Sequence, residues 1–110
     1  MIHLTASTKI LIATEPADFR KGIDGLSAVC RLQLAKDPRT GTIFVFINRS
    51  KTMVRALTYD GTGFWLMTKR LSTGRFQRWP RPNTPLSSML ASQLRQLLCD
   101  SNAPLTFIGQ

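Results

Sequence analysis

Histidine is almost missing from this 110-residue chain: His3 is the only one. A nucleophile–histidine pair could be assembled only through it, and it stands in a terminus that is expected to be flexible. Acidic residues are also scarce: Glu15, Asp18, Asp24, Asp37, Asp60 and Asp100. A metal-dependent nuclease or transposase needs two or three carboxylates that converge on its cations. Plainer roles suit these acids better: Asp60 in a turn, Asp24 as a helix cap, and Asp18 paired with Arg20, Lys21 or a backbone N–H. Cysteine is limited to Cys30 and Cys99, with no Cys or His at ligand spacing nearby. Both read as buried free thiols in a reducing compartment. No glycine-rich phosphate loop, zinc spacing or nucleotide fingerprint is present. Neither catalysis, nor a metal, nor a cofactor is expected. No apolar run approaches the ~20 residues that a membrane span needs. Met1 to Ala13 has no basic start and only a broken apolar run, unlike a secretory leader. A cytoplasmic protein without a membrane partner is therefore expected.

Positive charge, by contrast, is plentiful. Fifteen Lys and Arg give a formal net charge of +9 and a pI near 10.9. Such a balance points to a polyanionic partner, with nucleic acid first. The charge is also local. From Arg49 to Arg81 there are eight basic side chains and one acid, Asp60, which is +7 of the total. A chain of this length is one domain, spanning 1–110, with one modest core.

The basic stretch begins as a hairpin. Met53 to Tyr59 and Phe64 to Leu71 are β-rich runs separated by Asp60-Gly61-Thr62-Gly63, and Asp-Gly tolerates the positive φ of a tight turn. An arm follows, Phe76-Gln77-Arg78-Trp79-Pro80-Arg81-Pro82. Its prolines forbid an ordinary helix or central strand. Its arginines alternate with Phe76 and Trp79. Two readings are open: phosphate contacts with bases stacked on the rings, or rings that pin the arm to the core while the arginines are solvated.

Elsewhere, Lys9 to Ala13 is a candidate first strand. Apolar residues at Phe19, Ile23, Leu26, Cys30 and Leu34 share one helical face. Either one helix spans about Asp18 to Leu34, or Asp24 caps a helix from Gly25. Thr42 to Asn48 is the most apolar run and reads as a central strand buried on both faces. A three-strand antiparallel meander with the hairpin is the economical arrangement. A last helix is expected from about Ser87 to Asp100, with Ser87 or Ser88 as N-cap and Leu90, Leu94, Leu97 and Leu98 on one face. The predicted class is α+β: a small, mostly antiparallel sheet, one helix before the central strand and one at the C-terminal end.

These landmarks, in order, carry a resemblance. Asp18 to Leu26, Gly41 followed by Ile43 to Phe46, Leu57 to Gly61 with Gly63-Phe64, Lys69-Arg70-Leu71, Gly74-Arg75-Phe76 and Trp79-Pro80 resemble a pattern over about residues 5 to 98. It is that of the TnpB-type accessory proteins, the second open reading frame products, of the insertion-sequence-66 group of bacterial transposons. The resemblance implies a role in transposition beside a separate transposase that holds the catalytic acids. The expected function is therefore a non-catalytic accessory factor that binds DNA. Arg49, Lys51, Lys69, Arg70, Arg75 and Arg78 are the expected phosphate contacts. Arg20 and Lys21 either join that surface or pair internally with Asp18 or Asp24. Lys69 and Arg70 are neighbours on a strand and so project from opposite faces. The alternative is a module that docks on the transposase or another acidic partner without touching DNA.

Overall fold

A computed structural model describes residues 8–99. Five strands and two helices follow in the order β1 (Ile10–Ala13), α1 (Ile23–Leu32), β2 (Ile43–Ile47), β3 (Met53–Tyr59), β4 (Phe64–Arg70), β5 (Leu86–Met89) and α2 (Ala91–Cys99). The strands form one sheet in the order β4-β3-β2-β1-β5. The pairs β2–β3, β3–β4 and β1–β5 are antiparallel, and β1–β2 is parallel. The fold is thus α+β, and the expected meander is present as β2-β3-β4.

The strand side chains alternate between two cores. Ile10, Ile12, Ile43, Val45, Ile47 and Val54 face α2 and meet Leu94, Leu97 and Phe76. Leu11, Ala13, Phe44, Phe46 and Leu57 face α1 and meet Leu26, Val29 and Cys30. All five residues of β2 are buried. Each such side chain gains roughly 1.5–3 kcal/mol on leaving water, so this short unbroken apolar run is the anchor of the sheet. Cys30 lies in the core, where burial pushes its thiol up to about 11. Cys99 is free but exposed at the end of α2, contrary to the expectation of two buried thiols.

Helix α1 adopts neither of the expected spans. It starts at Ile23, its N-cap is Gly22, and no side chain caps it. Asp24 lies inside the first turn, where its charge suits the helix dipole. Gly25 has a packing reason: a Cβ there would sit 2.5 Å from Cβ of Lys21.

The C-terminal region departs further from expectation. Ser87 and Ser88 are not a helix cap; they belong to β5, paired with Ile12 and Leu11. The outer edge of β1 leaves backbone groups that must be satisfied. A neighbouring chain segment supplies them despite its weak strand composition. Helix α2 therefore begins later, and Gln93 Oε1 accepts from Leu90 N–H at 2.8 Å as its N-terminal closure. Asp100 and His3 lie outside the described residues.

Candidate nucleic-acid interface

Strand direction decides which loops become neighbours. The C-terminal ends of β1, β2 and β4 and the N-terminal ends of β3 and β5 lie at one end of the sheet. The segments 14–22, 48–52 and 71–85 therefore emerge together. They and the last residue of β4 carry Arg20, Lys21, Arg49, Lys51, Arg70, Arg75, Arg78 and Arg81, against Glu15 and Asp18 alone.

Hydrogen bonds tie these segments to the strand ends. Ala17 N–H donates to Ile47 O at 2.8 Å, Leu71 N–H to Thr52 O at 2.9 Å, and Phe76 N–H to Lys51 O at 2.9 Å. Thr14 N–H reaches Pro85 O at 3.2 Å, and Thr14 Oγ1 donates to Thr84 O. The 48–52 turn is organised by Asn48, whose Oδ1 accepts from the N–H groups of Thr52 and Met53 at 3.0 and 3.1 Å. Its Nδ2 donates to Ser50 Oγ and Thr52 Oγ1. Lys51 sits in the left-handed region at φ 63°, a conformation uncommon outside glycine. This network holds the backbone that presents Arg49 and Lys51. Asn48 is not among the site residues expected above, where it closes the apolar run Thr42 to Asn48; β2 ends at Ile47, and a turn-forming asparagine at the end of such a run is the signal available for it.

The arm takes the second of the two readings. Phe76 is buried in the core under α2. Trp79 is half-buried, packs against the same core and donates its indole N–H to Ala13 O at 3.0 Å. The rings are occupied in holding the arm down and do not offer faces to bases. Arg75, Arg78 and Arg81 are exposed along it.

The remaining basic residues differ in their surroundings. Arg49, Lys51 and Arg70 are exposed, with no side-chain hydrogen bond or ion pair among the described residues. Arg20 grips Asp18 with Nε and a terminal nitrogen, at 3.0 and 2.8 Å. The Arg20 guanidinium and its backbone N–H hold the Asp18 carboxyl well below the usual range. Arg20 thus forms the internal pair. An open cleft of about 390 Å³ lies between this pair and Arg49, bordered by Pro16, Phe19 and Ser50. Lys69 projects to the α2 side and donates Nζ to Leu98 O at 2.8 Å, a cation at a helix C-terminus. Arg70 projects to the other face, as adjacent strand residues must.

Arg55, inside the basic stretch, is a structural clamp. It donates to Phe19 O at 2.7 Å, Lys21 O at 3.3 Å and Thr68 Oγ1 at 3.2 Å, with its guanidinium 4.9 Å from the Phe19 ring centre. It fastens segment 19–21 to the sheet.

The larger cleft, about 620 Å³, lies at the opposite end of the sheet. Lys9 and Lys36 there are balanced by Asp37 and Asp60, so its lining lacks the net positive charge of the basic end. Asp60 is also committed to its hairpin. Its Oδ1 accepts from Thr62 N–H, Thr62 Oγ1 and Gly63 N–H, and its Oδ2 from Trp65 Nε1. Asp18 and Asp60 therefore sit at opposite ends of the sheet. Among the described residues no group of three or more His, Cys, Asp or Glu is placed to hold a metal ion, and no helix is long and apolar enough to cross a membrane.

A family model described as IS66 Orf2 like protein matches residues 8–103. The chain belongs to the IS66 Orf2 family. Membership ties it to transposition and to the insertion sequences of that name. Two curated relatives come from Sinorhizobium fredii (strain NBRC 101917 / NGR234). "Uncharacterized protein y4jC" is 41% identical over 76 residues, covering 69% of this chain and 65% of the relative, a little under two thirds of its length. "Uncharacterized protein y4hO" is 35% identical over 98 residues, covering 89% of this chain and 84% of the relative. No solved structure is significantly similar. The IS66 Orf2 match begins just before β1 and covers every described element.

Proposed function

We propose that this protein is a non-catalytic accessory factor of IS66-type transposition that binds duplex DNA through the basic end of its sheet and acts beside a separate transposase. The observation that carries the reading is the convergence of three basic segments at one end of the sheet, with Asp18 already neutralised by Arg20. Arg49, Lys51 and Arg70 would make the principal phosphate contacts, joined by Arg75 and Arg78 on the arm and by Lys21, which lines one hollow with Arg49. Arg20 and Lys69 spend their hydrogen bonds within the fold and would contribute mainly through the long-range field. Buried Phe76 and half-buried Trp79 favour binding through the phosphate backbone over base stacking.

The test is fluorescence anisotropy of purified protein with insertion-end DNA and a scrambled duplex, over a range of salt. With about five to six phosphates contacted, log K should fall against log salt with a slope near −5. Arg49→Ala or Arg70→Ala should each lower that slope by about one and weaken both duplexes alike. An affinity indifferent to salt would overturn the proposal. Absence of binding at low salt would reassign the basic end to an acidic protein surface, to be sought by co-elution with the transposase.

A further inference from the structure

The two edges of the sheet are unlike. β5 is four residues long and follows Pro80, Pro82 and Pro85, so it offers little to a foreign strand. β4 is seven residues long, contains no proline and pairs with β3 without interruption from Phe64 to Arg70. Among the described residues nothing pairs with its outer side, which is an edge of the sheet. Trp65 and Met67 are 44% and 40% exposed along it. Long, regular, half-apolar edges are ordinarily blunted by charge, a bulge or proline; over residues 64–68 this one carries none of these.

The backbone fixes which groups that edge presents. Asp60 N–H bonds Gly63 O, and Leu71 N–H bonds Thr52 O. Hydrogen-bonded pairs alternate along an antiparallel ladder, so odd-numbered residues of β4 spend their N–H and C=O on β3. Those of Phe64, Leu66, Thr68 and Arg70 point outward. We propose that this edge pairs with the same edge of a second copy of the chain, antiparallel about a two-fold axis at Met67, giving a continuous ten-stranded sheet. Opposed residues must share a face and the open residues must meet one another. The register centred on Met67 pairs all four: Phe64 with Arg70, and Leu66 with Thr68, twice each.

Charge selects the same arrangement. Both cations of β4, Lys69 and Arg70, stand at one end, and a parallel pairing would set like charges together. The antiparallel register instead places Arg70 opposite Phe64 of the second copy, a cation–aromatic contact. It also sets the aliphatic stem of Lys69 opposite Trp65, whose indole is held by Asp60. Such an interface uses one patch on both copies, as a closed two-fold dimer does. The pairing shares one residue, Arg70, with the proposed DNA surface; Arg49 and Lys51 lie off β4 and outside the interface, and the two basic ends would point in opposite directions.

The experiment is sedimentation of the full chain without DNA across the micromolar range, for the wild type and Met67→Lys. A dimer is expected for the wild type, and a monomer with unchanged circular dichroism for M67K, which sets two ammonium groups on the axis. The register is read by oxidative crosslinking in a Cys99→Ser background. The central pair is not hydrogen-bonded, and its Cα separation of about 4.5 Å suits a disulfide. Met67→Cys should therefore form a covalent dimer, while Trp65→Cys, opposite Lys69, should not. A wild type that stays monomeric throughout, a dimer in which M67C fails to crosslink, or one in which W65C crosslinks as readily, would overturn the proposal.

Discussion

Arg55 and Asp60 show how residues of one composition class divide into different physical roles. Arg55 is part-buried, and its donors are spent on two backbone carbonyls and a hydroxyl. Hydrogen bonds from a charged group to buried or part-buried partners are worth about 1.5–3 kcal/mol. Arg55→Ala should destabilise the fold by about that much in denaturant titration, while the salt slope of DNA binding stays nearly as in the wild type. Asp60 is a turn residue whose charge is stabilised by the N–H of Thr62 first, then by Trp65, the Thr62 hydroxyl and Gly63, which hold its pKa well below the ordinary range. A depressed folded pKa stabilises the fold above the unfolded value, near pH 4, and that contribution is lost as pH falls below it. Thermal melts from neutral to strongly acid pH should show wild-type stability declining below about pH 4. Asp60→Ala should be less stable at neutral pH and decline less steeply.

The legibility of each element follows where its stability comes from. β2 and the β3–β4 hairpin were readable because an unbroken apolar run and an Asp-Gly turn carry their own local reasons to form. β5 was not, because Leu-Ser-Ser-Met has no strand signature and becomes a strand only beside the open edge of β1. The helix boundary after it moved for the same reason. In α1 the apolar spacing gave the right face, and its glycines made the start ambiguous. Gly25 allows a close approach by the Lys21 side chain. Alanine there would gain about 1 kcal/mol of helix propensity, but its Cβ would meet the root of the Lys21 side chain at 2.5 Å, where no flexible tip can yield. Gly25→Ala should therefore lower the melting temperature, whereas Gly22→Ala, which meets nothing within 4 Å, should not show that clash.

For the molecule as a whole, the arm links stability to the basic surface. Phe76 is 2% exposed, and its backbone N–H binds Lys51 O, so one residue joins the core, the arm and the 48–52 turn. Phe76→Ala should cost about 3–5 kcal/mol in unfolding measurements. Under conditions where the variant is still folded, it should also weaken DNA binding, because Arg75 and Arg78 would lose their mooring. The sequence by itself determined the amount of charge, its bias toward the middle of the chain, the scarcity of catalytic groups and the strands with local signals. These are properties of composition and of short-range periodicity. Only the tertiary structure decided that Arg20 and Lys21, distant in sequence, join Arg49 and Arg75 at one end of the sheet. It also decided that Arg55 and Lys69 serve the fold, and that the arm's rings face inward. Loop neighbours depend on strand order and direction, and a side chain's role depends on which donors and acceptors reach it, and both are set by contacts between residues far apart in the chain.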